Sequence, residues 1–133
     1  MKKQILLPTS VKSEMLKTFG IGRDQLRDAL IFETNSQRAK MLRAAALERG
    51  GLIYTGKHAP RGYLPAVKTS FDHVRNIMRQ SFGERVALEI DKTANIASIF
   101  IDNEHVATFE DVTLDTWTNV LYSLQKIYNQ LNA

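Results

Sequence analysis

Arg23, Gln25 and Arg27 alternate with Asp24, Leu26 and Asp28, and Leu26, Ala29 and Leu30 recur at the spacing of one helix face. Folded as a helix over Arg23 to Ile31, the segment turns those apolar residues inward and sends the polar ones outward. The outward types suit chemistry at a base edge. A guanidinium grips guanine through two parallel donors and a carboxamide grips adenine, each for about 1–3 kcal/mol of discrimination. Asp24 and Asp28 complicate that surface. Carboxylates near a helix N-terminus stabilise the helix, yet they repel phosphate, and Asp28 is spaced to pair with Arg23 or Arg27. A solvated face with local ion pairs is therefore the competing reading.

Further cations flank this segment. Lys12 and Lys17 precede it, and Arg38, Lys40 and Arg43 follow it, where they are expected to hold phosphates. A basic loop carrying Lys57, His58 and Arg61 lies further on, between Tyr54 and Tyr63. These cations lie in the basic half of the chain. Residues 1–67 carry twelve Lys/Arg against five Asp/Glu, a net of +7, whereas residues 68–133 carry six against nine, a net of −3. Such a split suits a polyanion-binding part joined to a part with another task.

The elements that must position these residues follow from the pattern. Ile5-Leu6-Leu7 ends at Pro8 and reads as an edge strand or anchoring segment. Residues 10–19 form a first helix through Val11, Met15 and Phe19. Gly20-Ile21-Gly22 interrupts it, with one glycine placed to take the left-handed conformation that ends a helix. The Arg23–Ile31 helix follows. Asn35 or Ser36 caps a third helix that runs to Arg49 through Ala39, Leu42, Ala46 and Leu47, and Gly50-Gly51 stops it. Residues 50–65 are rich in glycine and proline and read as a wing or a linker. As a wing, Leu52-Ile53-Tyr54 and Tyr63-Leu64 would be its strands, and Ile5-Leu6-Leu7 would be able to pair with one of them.

The segment Phe19–Gly51 resembles the helix-turn-helix headpiece of lac-repressor-type regulators. Phe19-Gly20-Ile21-Gly22 matches the turn, Arg23 to Asp28 sit where the recognition helix lies, Ser36 matches the next helix cap, and Arg43-Ala44-Ala45-Ala46 echoes that helix's end. The resemblance implies that Arg23, Asp24 and Arg27 fall at base-contacting positions. It departs at Gly22, where a serine is usual, at Asp28, where a basic residue is usual, and in a shorter loop at 32–35. About 80 residues follow, too few for the sensor domain of those regulators. The chain is also similar to small bacterial proteins carrying the Thr34-Asn35-Ser36 and Ala45–Gly51 segments, a likeness that implies no activity.

The second half is expected to be α-β-β-β-α. Phe71, Val74, Ile77, Met78 and Phe82 predict an amphipathic helix over about 69–82. A three-stranded antiparallel meander follows at 85–91, 96–102 and 105–110, and then a helix over about 113–131. That last helix carries an apolar stripe through Trp117, Leu121, Leu124 and Tyr128, suited to core or to dimerisation.

Other chemistries find little footing. No cysteine is present, so disulfides and thiolate sites are excluded. His58, His73 and His105 show no metal-ligand spacing, and the carboxylates at strand ends (Asp91, Asp102, Glu104, Glu110, Asp111) are usual turn formers. No apolar run approaches the roughly 18–20 residues of a membrane span, nor does the N-terminus hold the apolar run of an export signal. The expectation is an α+β protein: a three-helix helix-turn-helix unit over 1–65, and a 66–133 unit suited to dimerisation. It is expected to be a cytoplasmic DNA-binding regulator. Double-stranded DNA is its partner, as a homodimer, with no catalysis, cofactor, metal or membrane association. The alternative is a protein-interaction or dimerisation module whose helix-turn-helix is only structural.

Overall fold

Ile5 and Leu6 start an extended segment that Pro8 cannot prolong, giving β1 (Gln4–Leu6), and Leu52–Tyr54 returns antiparallel to it as β2. In the computed structural model, which describes residues 3–132, this ribbon ties together the two ends of a unit that closes at Thr55; a second unit begins at Gly56. The fold is α+β. Between β1 and β2 run three helices: α1 (Thr9–Phe19), α2 (Arg23–Leu30) and α3 (Gln37–Glu48).

Two glycines set the geometry of this first unit. Gly20 sits at φ 61°, ψ 43°, a left-handed conformation that costs a side-chain-bearing residue more. Its N–H and that of Ile21 both donate to the Leu16 carbonyl, closing α1. Ile21 then packs with Leu26, Leu30, Met15 and Ile5 in the core between the helices. Gly51 is a question of space, since a Cβ there would meet the Ala46 carbonyl oxygen and Ile5 Cγ2 at 2.8 Å each. Ser36 caps α3, its Oγ accepting from the Ala39 N–H at 3.1 Å.

The second unit is a five-stranded antiparallel meander covered by one helix. Its strands are β3 (Lys68–Asp72), β4 (Ile77–Phe82), β5 (Val86–Asp91), β6 (Ile96–Ile101) and β7 (Glu104–Glu110), in that spatial order. The helix α4 (Leu114–Leu131) is capped by Thr113 and buries Val120, Leu121, Leu124 and Ile127 against β4 and β5. Phe82, Val86 and Ile101 share one sheet face by register, as do Gln80, Leu88 and Ile99. The apolar stripe of α4 is therefore core.

This corrects the helix expected over 69–82, which is the β3–β4 hairpin. Val74 contributed to the apparent helical period, but it is a turn residue and 97% exposed. The Asp72 side chain folds the turn by accepting from the N–H groups of Val74 and Arg75, and Asn76 takes φ 56°. On β4 the inward alternation is Met78, Gln80, Phe82, and its polar middle member hid the strand. Buried Gln80 is satisfied: Trp117 Nε1 donates to its Oε1 at 2.8 Å, and its Nε2 donates to Thr69 Oγ1 at 3.3 Å. The second unit is thus five strands and a helix, not α-β-β-β-α.

The wing is corrected as well. Leu52–Tyr54 is a strand and pairs with β1, as anticipated for Ile5-Leu6-Leu7, but Tyr63-Leu64 forms no strand. Pro60 and Pro65 lack ladder donors. The loop lies on α4 instead, with the Ala59 N–H donating to Asn119 Oδ1 at 2.8 Å and the Tyr63 and Tyr122 rings meeting edge to face at 5.2 Å.

Candidate functional site

The surface of α2 follows from its buried residues. Leu26, Ala29 and Leu30 face the core, so at 100° per residue the opposite ridge belongs to Asp24 and Asp28. Arg23 and Arg27 lie together on one flank, beside α1; Gln25 lies on the other, where it shares a hollow with Thr34, Ser36 and Ala39. The expected base readers are therefore split by an acidic ridge. Arg27 is drawn into it: its guanidinium stands 3.3 Å from Asp24 Oδ1 and 3.2 Å from Asp28 Oδ1. Arg23 has no ion pair among the described residues and is exposed, as are Lys17, Arg38 and Lys40 on α1 and α3. Gly22, in extended conformation, precedes α2 without a side-chain cap.

Arg43 does not belong to this surface. It is 8% exposed, and its guanidinium donates to the carbonyls of Ala29 at 2.9 Å and Thr34 at 2.8 Å and to Asn35 Oδ1 at 3.2 Å. It also lies 4.7 Å from the centroid of the Phe32 ring. The side chain ties α3 to the end of α2 and the following loop, which leaves no donor fork turned toward a phosphate. The sequence held a signal for this: Ala39, Arg43 and Ala46 lie on one stripe of α3, small residues above and below a long one. Arg49 is also engaged, by Glu14 at 3.0 Å.

Lys12 differs again. It lines a cleft of about 400 Å³ between β1, α1 and α2, together with Arg23 and Arg27. It is partly buried, with no ion pair among the described residues, and desolvation holds its ammonium below the usual lysine range. Of the loop residues, His58 Nδ1 is hydrogen-bonded to Asn119 Nδ2 at 3.2 Å, whereas Lys57 and Arg61 are exposed.

Several carboxylates of the second unit serve turns and ion pairs. Asp91 accepts from the N–H groups of Thr93 and Ala94. Asp102 receives Arg85 at 2.8 and 2.9 Å, and the hydrogen bonds from that guanidinium hold its carboxyl below the usual range. Among the described residues no group of three His, Asp or Glu is arranged to hold a metal ion, and no helix is long and apolar enough to cross a membrane. No protein family, curated protein or solved structure matches this chain.

Proposed function

We propose that the first unit binds double-stranded DNA by presenting α2 to the major groove, and that the protein is a small, non-catalytic, cytoplasmic regulator of transcription. One observation carries this reading. Two helices joined by a left-handed glycine turn are braced by a third, and exposed cations without ion pairs among the described residues stand on all three helices: Lys17 on α1, Arg23 on α2, and Arg38 and Lys40 on α3. The lac-repressor-type likeness supports the same assignment. Arg23, Gln25 and Arg27 read bases, and Lys17, Arg38 and Lys40 hold phosphates. Asp24 on the ridge accepts a hydrogen bond from a cytosine amine, the base group that a carboxylate suits. An eight-residue α2 reaches one half-site only, so the protein binds as a homodimer on two half-sites.

Titration of random-sequence duplex DNA at stepped salt tests the proposal. Three phosphate contacts per protomer give a slope of log Kobs against log salt of about −3 per protomer, and enriched sequences emerge from repeated selection. Absence of salt-sensitive binding overturns it. A monomer in light scattering, with and without DNA, removes the homodimer.

A second reading has its own observation. Asp24 and Asp28 form the ridge farthest from the core, with Asp24 87% exposed at its side chain. That ridge suits a basic protein partner, and the module would then serve assembly. Charge reversal separates the two: Asp24→Lys raises affinity for random-sequence duplex and relaxes the preference for one cytosine in the first reading, and abolishes partner capture in the second.

A further inference from the structure

Lys12 poses a physical problem that stability does not solve. Partly burying a cation without a carboxylate is costly, and desolvation holds its pKa below the ordinary lysine range, with no carboxylate paired to it among the described residues. An apolar side chain of the same length would fit α1 better at that position. Groups whose burial works against the fold mark candidate sites. The surroundings define what Lys12 would meet. Ile5, Leu16, Leu26 and Leu30 line the cleft with apolar groups, Lys12 and Arg23 line it with cations, small polar side chains complete it, and its volume of about 400 Å³ lies in the range of small-molecule sites, roughly 300–1,000 Å³.

We propose that this cleft binds a small amphiphilic carboxylate, its head group on Lys12 and Arg23 and its apolar body against Ile5, Leu16, Leu26 and Leu30. A bare phosphate would satisfy the cations and leave the apolar lining wet; a neutral apolar molecule would cover that lining and leave Lys12 without a counter-charge. Only a molecule with both parts meets the whole cleft. Arg27 also lines the cleft but is already engaged by Asp24 and Asp28, and contributes less than Arg23. The site stands whether or not α2 meets DNA, and its test uses none.

Sodium octanoate, titrated into the full chain and followed by amide NMR, is the probe. Saturable shifts are expected at Ile5, Lys12, Leu16 and Leu30. Octanol is expected to bind about tenfold more weakly, the effect of one charge-assisted contact, and Lys12→Met to weaken octanoate about as much. The variant's unchanged circular dichroism and higher melting temperature show that the loss is not unfolding. The proposal is overturned if octanoate gives no saturable shifts at these residues, if octanol binds as tightly, or if inorganic phosphate produces the same shifts with equal affinity.

Discussion

Arg43→Met removes a guanidinium that the first unit uses as a strut. Three charge-assisted hydrogen bonds disappear, each of a kind worth about 1.5–3 kcal/mol. They are not equal. The Ala29 carbonyl belongs to a residue 1% exposed but keeps the Phe32 N–H at 3.2 Å, so losing the guanidinium there costs one buried charge-assisted bond, about 1–2 kcal/mol. Thr34 and Asn35 are exposed residues whose acceptors can rehydrate, and together they add about 1 kcal/mol. Methionine restores part of the aliphatic packing but not the contact with the Phe32 ring. The sum is about 2–3 kcal/mol, against a total of roughly 3–8 kcal/mol expected for a unit of about 50 residues. Urea unfolding by circular dichroism, with hydrogen exchange of the α1–α3 amides, should show this unit destabilised by that amount, with faster exchange at the α2–α3 junction. Arg43→Lys keeps the charge, reaches fewer acceptors, and loses more than half as much. If Arg43→Met lies within about 1 kcal/mol of the parent, or Arg43→Lys is neutral, the strut reading is refuted and a surface role returns.

Three other substitutions follow from named contacts. Lys12→Met should raise stability. Because burial lowers the lysine pKa below 10.5, the unfolded chain binds more protons between the folded value and 10.5; parent stability therefore rises through that window, and the variant's advantage, complete at pH 7, fades toward 10.5. Gly22→Ser should stabilise α2 by a few tenths of a kcal/mol, since the position has φ −83°, no atom within 4 Å of a new Cβ, and no existing side-chain cap; a lower melting temperature would contradict the capping geometry. Gln80→Leu should cost about 1–3 kcal/mol by stranding the Trp117 indole N–H, and the added change Trp117→Phe should recover part of it, a coupling readable in a double-mutant cycle.

Much of the first unit was legible because its signals are local. The Gly20 turn, the Ser36 cap, the Leu26/Ala29/Leu30 face and the β1–β2 pairing each depend on residues whose types announce their geometry. The features that escaped depend on partners distant in sequence. Gln80 reads as surface until Trp117 is placed beside it, and with it the β4 alternation disappears. Tyr63 reads as a strand residue until Tyr122 supplies its ring contact. Arg43 follows the usual habit of arginine, exposure, unless the Ala39–Ala46 stripe is allowed to outweigh it. At the candidate site the residue types were legible and their partition was not: helical phase places Asp24 and Asp28 outermost, between Arg27 and Gln25, a consequence of the buried face rather than of composition.

The most direct test of DNA recognition by α2 is amide NMR of the full chain titrated with a selected duplex at low salt. The account predicts slow-exchange shifts concentrated on Arg23 to Arg27, with Lys17, Arg38 and Lys40 at the border, and their loss in Arg23→Ala. Saturable binding whose shifts lie in residues 56–132, or binding that leaves α2 unmoved, would contradict it.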